Sequence, residues 1–339
     1  GYIGSHTCVE LLENNFKIIV LDSLVNSSST VIKKIKFLLK SKINNIEERM
    51  KFIKGDIRDQ RLVKNIFKDA YIEGNSIEAV IHFAGLKSVE DSLNYPLKYW
   101  DTNLKGTINL LEIMQEYNCQ NIIFSSSATI YSQQNDIPLK ENSKLGPINP
   151  YGNTKLAIEI ILEDLFNSMP NTWRICNLRY FNPIGAHPSG VIGEDPKGIP
   201  SNIFPVILNV ASRKLKKLQI YGNDWNTSDG TCIRDFIHIV DLAQAHMFAL
   251  NHLLDSKPKL INLNLGTGKG TTLLSLIKSF EEVNNLTVPY EFVNRRKGDL
   301  QTVIADNSKS KEILNWIPTR DIKEMCRDGW KWCLNNSVS

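Results

Sequence analysis

A tyrosine and a lysine four residues apart, Tyr151 and Lys155, open a helical run in the stretch Asn149-Pro150-Tyr151-Gly152-Asn153-Thr154-Lys155. Positions four apart share a helix face, with Cβ atoms roughly 5–6 Å apart, so a phenol and an ammonium can enter one pocket. There the cation stabilises the phenolate and draws the tyrosine pKa below its reference of about 10. A phenol that exchanges its proton near neutral pH is a general acid/base. By itself this spacing carries little, because such pairs are common on solvated helix faces. The elements around it decide what it means.

The chain opens with Gly1-Tyr2-Ile3-Gly4-Ser5-His6 and an apolar helical pattern at Val9, Leu11 and Leu12. Residues 16–22 then form a short β-branched run ending in Asp22, as a buried parallel strand would. This resembles the second half of a dinucleotide-binding fingerprint. In that pattern glycines let the backbone approach a pyrophosphate at a helix N-terminus, and an acid about 20 residues later holds the ribose hydroxyls. Asp22 lies 18 residues after Gly4, and no Arg follows it closely, which favours NAD over NADP. The first strand and opening glycines of the pattern are not in the sequence, so the expectation is a chain lacking its extreme N-terminus.

Strands and helices alternate from there. Residues 50–53 read as a strand running into Gly55-Asp56-Ile57-Arg58-Asp59, with Asp59 capping a helix to about residue 70. Residues 79–83 form a strand opening into Ala84-Gly85-Leu86-Lys87, small residues where a cofactor would cross the sheet. Residues 96–117 read as one long helix with Leu104, Ile108, Leu111 and Ile113 inward. Residues 121–124 are a strand ending in Ser125-Ser126-Ser127-Ala128-Thr129. Residues 151–166 are a helix with Leu156, Ile160 and Ile161 on its buried side, and 173–179 are a further strand. The alternation predicts an α/β fold, a Rossmann-type doubly wound parallel sheet whose ligands sit at the carboxyl ends of the strands. From Asn182 glycines and prolines multiply and the elements shorten. The expected division is a dinucleotide-binding domain over 1–181 and a smaller, interleaved C-terminal substrate domain over 182–339, with strands near 235–265 returning to the first sheet.

Composition is that of an ordinary globular protein: 339 residues, 42% hydrophobic, 22% charged, net charge +4. The basic residues are dispersed and form no nucleic-acid stripe. No apolar run reaches the roughly 18 residues of a membrane span. The six cysteines form no Cys-x-x-Cys pair and the six histidines do not cluster. The expectation is reduced thiols, a cytoplasmic location and no metal.

Four stretches in one order now carry a resemblance: Gly1-Tyr2-Ile3-Gly4, then Ser125 to Thr129, then Tyr151-x-x-x-Lys155 beginning 24 residues after Ser127, then Arg179-Tyr180-Phe181-Asn182-Pro183. Together they resemble the extended short-chain dehydrogenase/reductase family. Phe83 to Lys87, Gly185-Ala186-His187-Pro188-Ser189-Gly190, Gly193-Glu194-Asp195-Pro196 and Arg234-Asp235-Phe236-Ile237-His238 narrow the likeness to its nucleotide-sugar 4-epimerases, over nearly the whole chain.

The resemblance implies an isomerase that interconverts UDP-galactose and UDP-glucose through a transient 4-keto sugar, with tightly held NAD, in galactose metabolism. It implies that Tyr151 is the base, that Ser127 bonds the same sugar oxygen, and that Lys155 binds the nicotinamide ribose and helps to depress the Tyr151 pKa; all three also touch the cofactor. It carries cofactor contacts onto Gly1, Tyr2, Ile3 and Gly4. Asp22, Ser23, Leu24, Val25, Asn26 and Ser27 follow, then Asp56 and Ile57, then Phe83, Ala84, Gly85, Leu86 and Lys87, and last Phe181. In Asp101-Thr102-Asn103 the family often has paired asparagines; Thr102 replaces the first and is carried over with that change. Substrate contacts carry onto Asn182, Asn202, Ile203, Gln219, Ile220, Tyr221, Arg234, Arg296 and Asp299. The two arginines suit a pyrophosphate, which a planar guanidinium grips bidentately. Val303 stands where some members carry a large Tyr, which leaves room beside the sugar C2 for N-acetylated UDP-sugars. A homodimer is implied, through the helices at 96–117 and 151–166.

Two other readings fit parts of the pattern. A nucleotide-sugar 4,6-dehydratase needs an acid pair just after the active-site Thr, where this chain has Ala128-Thr129-Ile130. A non-catalytic NAD-sensing protein on the same fold typically loses the Tyr or the Lys, and this chain keeps both.

Overall fold

The computed structural model describes residues 1–198, 200, 202–296 and 298–336. The first half alternates strictly. Helix α1 (Tyr2–Glu13) leads to β1 (Ile18–Asp22), α2 (Thr30–Leu39), α3 (Ile46–Arg49), β2 (Met50–Lys54), α4 (Gln60–Ile72) and β3 (Val80–His82). Helices α5 (Val89–Asn94), α6 (Pro96–Tyr99) and α7 (Gly106–Glu116) precede β4 (Asn121–Ser127), α8 (Pro150–Ser168) and β5 (Arg174–Tyr180). The second half holds β6 (Asn182–Ile184), α9 (Ile203–Ala211), β7 (Leu218–Tyr221), β8 (Ile233–His238), α10 (Ile239–Leu254) and β9 (Lys259–Leu265). It closes with β10 (Gly270–Thr272), α11 (Leu273–Asn284), β11 (Tyr290–Val293), β12 (Thr302–Val303), α12 (Ser308–Leu314) and α13 (Ile322–Asn336).

The central sheet runs β3-β4-β5-β9, all parallel, and β1 pairs parallel with β2 beside it. Successive side chains of a strand point to opposite faces, and β4 uses both. Ile123 joins the cluster with α10, whereas Ile122 and Phe124 join the cluster with α7 and α8. Helices on both faces make the sheet doubly wound. Strands β1 and β3 are not paired with each other. A second set of strands, β10-β8-β12 with β6 on β8, and the pair β7-β11 lie over their own core of Phe204, Phe236, Ile277 and Phe280.

Local rules explain the element ends. The Asp59 carboxylate accepts from the Leu62 amide at the start of α4, and Asn149 accepts from Gly152 at the start of α8. Gly185 has φ +89°, and a Cβ there would meet His238 and the Met325 backbone at 3.3 Å, so the close approach needs glycine.

Two helices differ from their apolar periodicity. The run from 96 to 116 is helical, but Trp100–Lys105 is a π-helical turn, and the shift in phase leaves Ile108 40% exposed rather than inward. In α8 the buried positions are Gly152, Thr154, Lys155, Ile158, Glu159 and Leu162, while Ile160 is half exposed. The helix turns a charged face inward because the protein supplies partners for those charges.

Candidate active site

Strand β4 and helix α8 build the centre of the site. The Lys155 ammonium donates to the Ser125 carbonyl at 2.6 Å and lies 4.8 Å from the Phe124 ring centroid. Burial lowers its pKa to about 8, against the pull of the Glu159 carboxylate. The Tyr151 phenol is pushed up to about 12 by burial, with Ser127 alone acting in the opposite direction. Lys155 sits 5.9 Å from the Tyr151 ring centroid with its ammonium turned to the β4 backbone, so desolvation outweighs it. The Ser127 hydroxyl is held in place by the Thr129 amide (3.2 Å) and hydroxyl (3.0 Å), which both donate to it.

These three side chains line a continuous cavity of about 3370 Å³. A site for one small ligand needs about 300–1,000 Å³, so this cavity has room for more than one. Along one wall lie Gly1 to Gly4, Asp22 to Ser27, Asp56, Ile57, Phe83 to Lys87, Thr102 and Phe181. Along the other lie Asn182, Asn202, Ile203, Gln219, Tyr221, Arg234, Arg296 and Asp299. Ile220 stands apart: its side chain is buried in the apolar core under β7, because alternation sends Gln219 and Tyr221 to the other face. Val303 packs on Phe181, Tyr131, Leu139 and Ala305 behind that lining.

The residues fit a dinucleotide. The first turn of α1 has no side-chain cap, which leaves its amides as donors for an anion, and the Asp22 carboxylate at the end of β1 accepts from the Leu24 amide at 2.8 Å and the Ser27 hydroxyl at 2.9 Å. The opposite wall carries cations with fixed stems. Arg234 donates to the Ile233 and Leu300 carbonyls at 2.9 and 2.8 Å, with Asp299 at 3.7 Å. Arg296 stacks on the Tyr221 ring at 4.0 Å.

Three further residues emerge only in three dimensions. Asn103, 2% exposed, accepts from the Leu86 amide and donates to its carbonyl and to Thr154, clamping the Gly85-Leu86 loop onto α8. Glu194 bridges the two walls: it accepts from Lys87 at 3.1 Å and from Asn202 at 3.4 Å. Glu159, 5% exposed, forms a bidentate pair with Arg179 at 2.7 and 3.1 Å. Glu194 and Asn103 lie within motifs the sequence displays; Glu159 has no signal beyond its place four residues after Lys155.

The family model described as GDP-mannose 4,6 dehydratase matches residues 1–329. The UDP-glucose 4-epimerase of Bacillus subtilis (strain 168) is 47% identical over 336 residues, 99% of this chain and 95% of that protein. The UDP-glucose 4-epimerase of Dictyostelium discoideum is 44% identical over 98% of this chain and 93% of its own length. Among solved structures, the UDP-glucose-4-epimerase of Stenotrophomonas maltophila, with bound NAD and formylated UDP-arabinopyranose, superposes with a TM-score of 0.93 at 42% identity. That match covers 100% of this chain and 96% of the other. The Bifidobacterium longum UDP-glucose 4-epimerase, in complex with NAD+ and UDP, gives 0.92 at 40% identity, covering 99% and 96%. The family model spans the shared scaffold, the relatives named above are epimerases, and the acid pair of a dehydratase is replaced here by Ala128-Thr129. The chain belongs to the UDP-glucose 4-epimerases, within the extended short-chain dehydrogenase/reductase family.

Proposed function

We propose that this protein interconverts UDP-galactose and UDP-glucose through a 4-keto sugar, with NAD held along the wall formed by α1, Asp22 and Phe83 to Lys87. The observation that carries the reading is the convergence of Ser127, Tyr151 and Lys155 between that wall and the one bearing Arg234 and Arg296. Bound NAD supplies a hydride acceptor and donor at the sugar C4 and, when oxidised, a positive ring that favours the phenolate. Tyr151 takes the proton of the sugar 4-hydroxyl and later returns it. Ser127 hydrogen-bonds the same oxygen, and Lys155 fixes the ribose and adds positive charge beside the phenol. Arg234 and Arg296 grip the pyrophosphate while the keto sugar turns over. Residues 1–181 hold the cofactor and 182–339 the UDP-sugar. The test is conversion of UDP-galactose to UDP-glucose by the purified protein in a coupled assay; no conversion with NAD present would reject the reading.

The packing of Val303 adds substrate breadth. A small residue behind Phe181 leaves room at C2, so UDP-N-acetylgalactosamine is expected to be turned over, and Val303→Tyr to abolish that activity while retaining UDP-galactose turnover. Comparison of the two substrates on both proteins checks this.

The reading includes a homodimer. Leu97 is 81% exposed, Ile108 40% and Ile160 50%, an apolar face spread over α6, α7 and α8 that a second copy would cover. Leu97→Glu with Ile160→Glu is expected to halve the mass seen by sedimentation. It also includes a cytoplasmic location, supported by the buried, unbridged thiols of Cys119, Cys176, Cys232 and Cys326. No helix of the described residues is long and apolar enough to cross a membrane.

A further inference from the structure

Three consecutive residues of β4 are tied to successive turns of α8. The Ser125 carbonyl accepts from Lys155, the Ser126 hydroxyl donates to Glu159 at 2.5 Å, and Ser127 acts on Tyr151. Glu159 lies one turn beyond Lys155 on the same helix face and is 5% exposed. Its carboxylate is held by Arg179 of β5, 1% exposed, in a two-point pair. The second arm of Arg179 donates to the Tyr131 hydroxyl at 2.9 Å and the Glu141 carbonyl at 2.8 Å. Tyr131 in turn donates to Asn264 of β9 at 2.6 Å. The network thus crosses α8, β4, β5 and β9 directly behind the catalytic side chains. A buried ion pair contributes little to stability relative to an apolar substitute, so its presence here asks for another role.

We propose that the Glu159–Arg179 pair is a positioning unit of the active site, which fixes Lys155 and Ser127 relative to one another through Ser126 and supplies the counter-charge to the Lys155 ammonium. This rests on the assignment of Lys155 and Tyr151 under the proposed epimerase reaction. The groups that face Lys155 are few. On α8 they are Tyr151 and Glu159; β3 brings His82, which burial holds neutral down to about pH 3. Strand β5 brings Tyr180, pushed far above its usual range by burial, and Arg179, which reaches Lys155 through Glu159. Glu159 is the anion among them that acts on Lys155, and it favours the charged ammonium against desolvation.

The sign follows. Glu159→Gln keeps the shape and the bond to Ser126 but removes the negative charge, so Lys155 gives up its proton at lower pH. Arg179→Met leaves Glu159 without its cation, so Lys155 keeps its proton to higher pH. The experiment follows the Nζ resonance of 15N-lysine-labelled full-length protein, assigned by its loss in Lys155→Arg, together with the pH profile of UDP-galactose turnover. Wild-type protein is expected to titrate near pH 8. Glu159→Gln is expected to move the midpoint and the alkaline limb of kcat down by about one unit, a tenfold change in the charged ratio. Arg179→Met is expected to move both up. If Arg179→Met does not fold, the double variant Glu159→Gln/Arg179→Met, which removes both charges of the pair together, is expected to fold and to titrate low like Glu159→Gln. Midpoints in the variants that coincide with wild type would overturn the proposal, as would shifts of Glu159→Gln and Arg179→Met in the same direction. Failure of the epimerase reading itself would show separately, as absence of turnover in the wild type while the resonance still titrates.

Discussion

Tyr151→Phe is expected to lower kcat by about 10²–10⁴-fold, the range that a positioned acid/base contributes. The ring is half-buried at the start of α8, so phenylalanine keeps the volume and removes one oxygen. Lys155 remains bonded to the Ser125 carbonyl and the cofactor wall is untouched, so NAD content should equal that of the wild type. Ser127→Ala should cost less, because it removes a partner of the sugar oxygen and not the group that takes its proton. The coupled UDP-galactose assay, read beside the absorbance of bound cofactor, measures both quantities. Undiminished kcat in Tyr151→Phe would remove the phenol from the mechanism.

Arg234→Met is expected to raise KM for UDP-galactose by about 10–150-fold with kcat within a few-fold of wild type. The range corresponds to the roughly 1.5–3 kcal/mol of a charge-assisted hydrogen bond. The guanidinium is already oriented by the Ile233 and Leu300 carbonyls, so little side-chain entropy is lost when a phosphate arrives. Methionine keeps an unbranched side chain at this position of β8. The split between KM and kcat separates anchoring of the nucleotide from chemistry at the sugar. An unchanged KM would place the pyrophosphate elsewhere in the cavity.

The parallel strands were legible because strands buried on both faces leave continuous β-branched runs, as in Phe16 to Asp22 and Ala79 to Phe83. The buried side of α8 was not. Apolar spacing pointed to Leu156 and Ile160, whereas the protein buries Lys155 and Glu159 and leaves Ile160 half exposed. Periodicity reads hydrophobicity, and it fails where a helix buries charges whose partners, Arg179 and the β4 backbone, come from distant sequence. The burial that raises the Tyr151 pKa was hidden for a related reason. Spacing gives proximity to a cation, but burial sets the larger cost, and burial is not a local property. Ile220 shows the opposite case: alternation along β7 was readable from a four-residue strand, yet the resemblance ran across it without regard to facing.

The residues we assign to the chemistry sit on a strand and helix stitched together at three consecutive positions, while those we assign to the nucleotide and the sugar ring belong to loops and short strands elsewhere. Such a separation makes the scaffold evolvable. Loops can drift toward new sugars, one substitution at a time, without loosening the machinery that moves the proton.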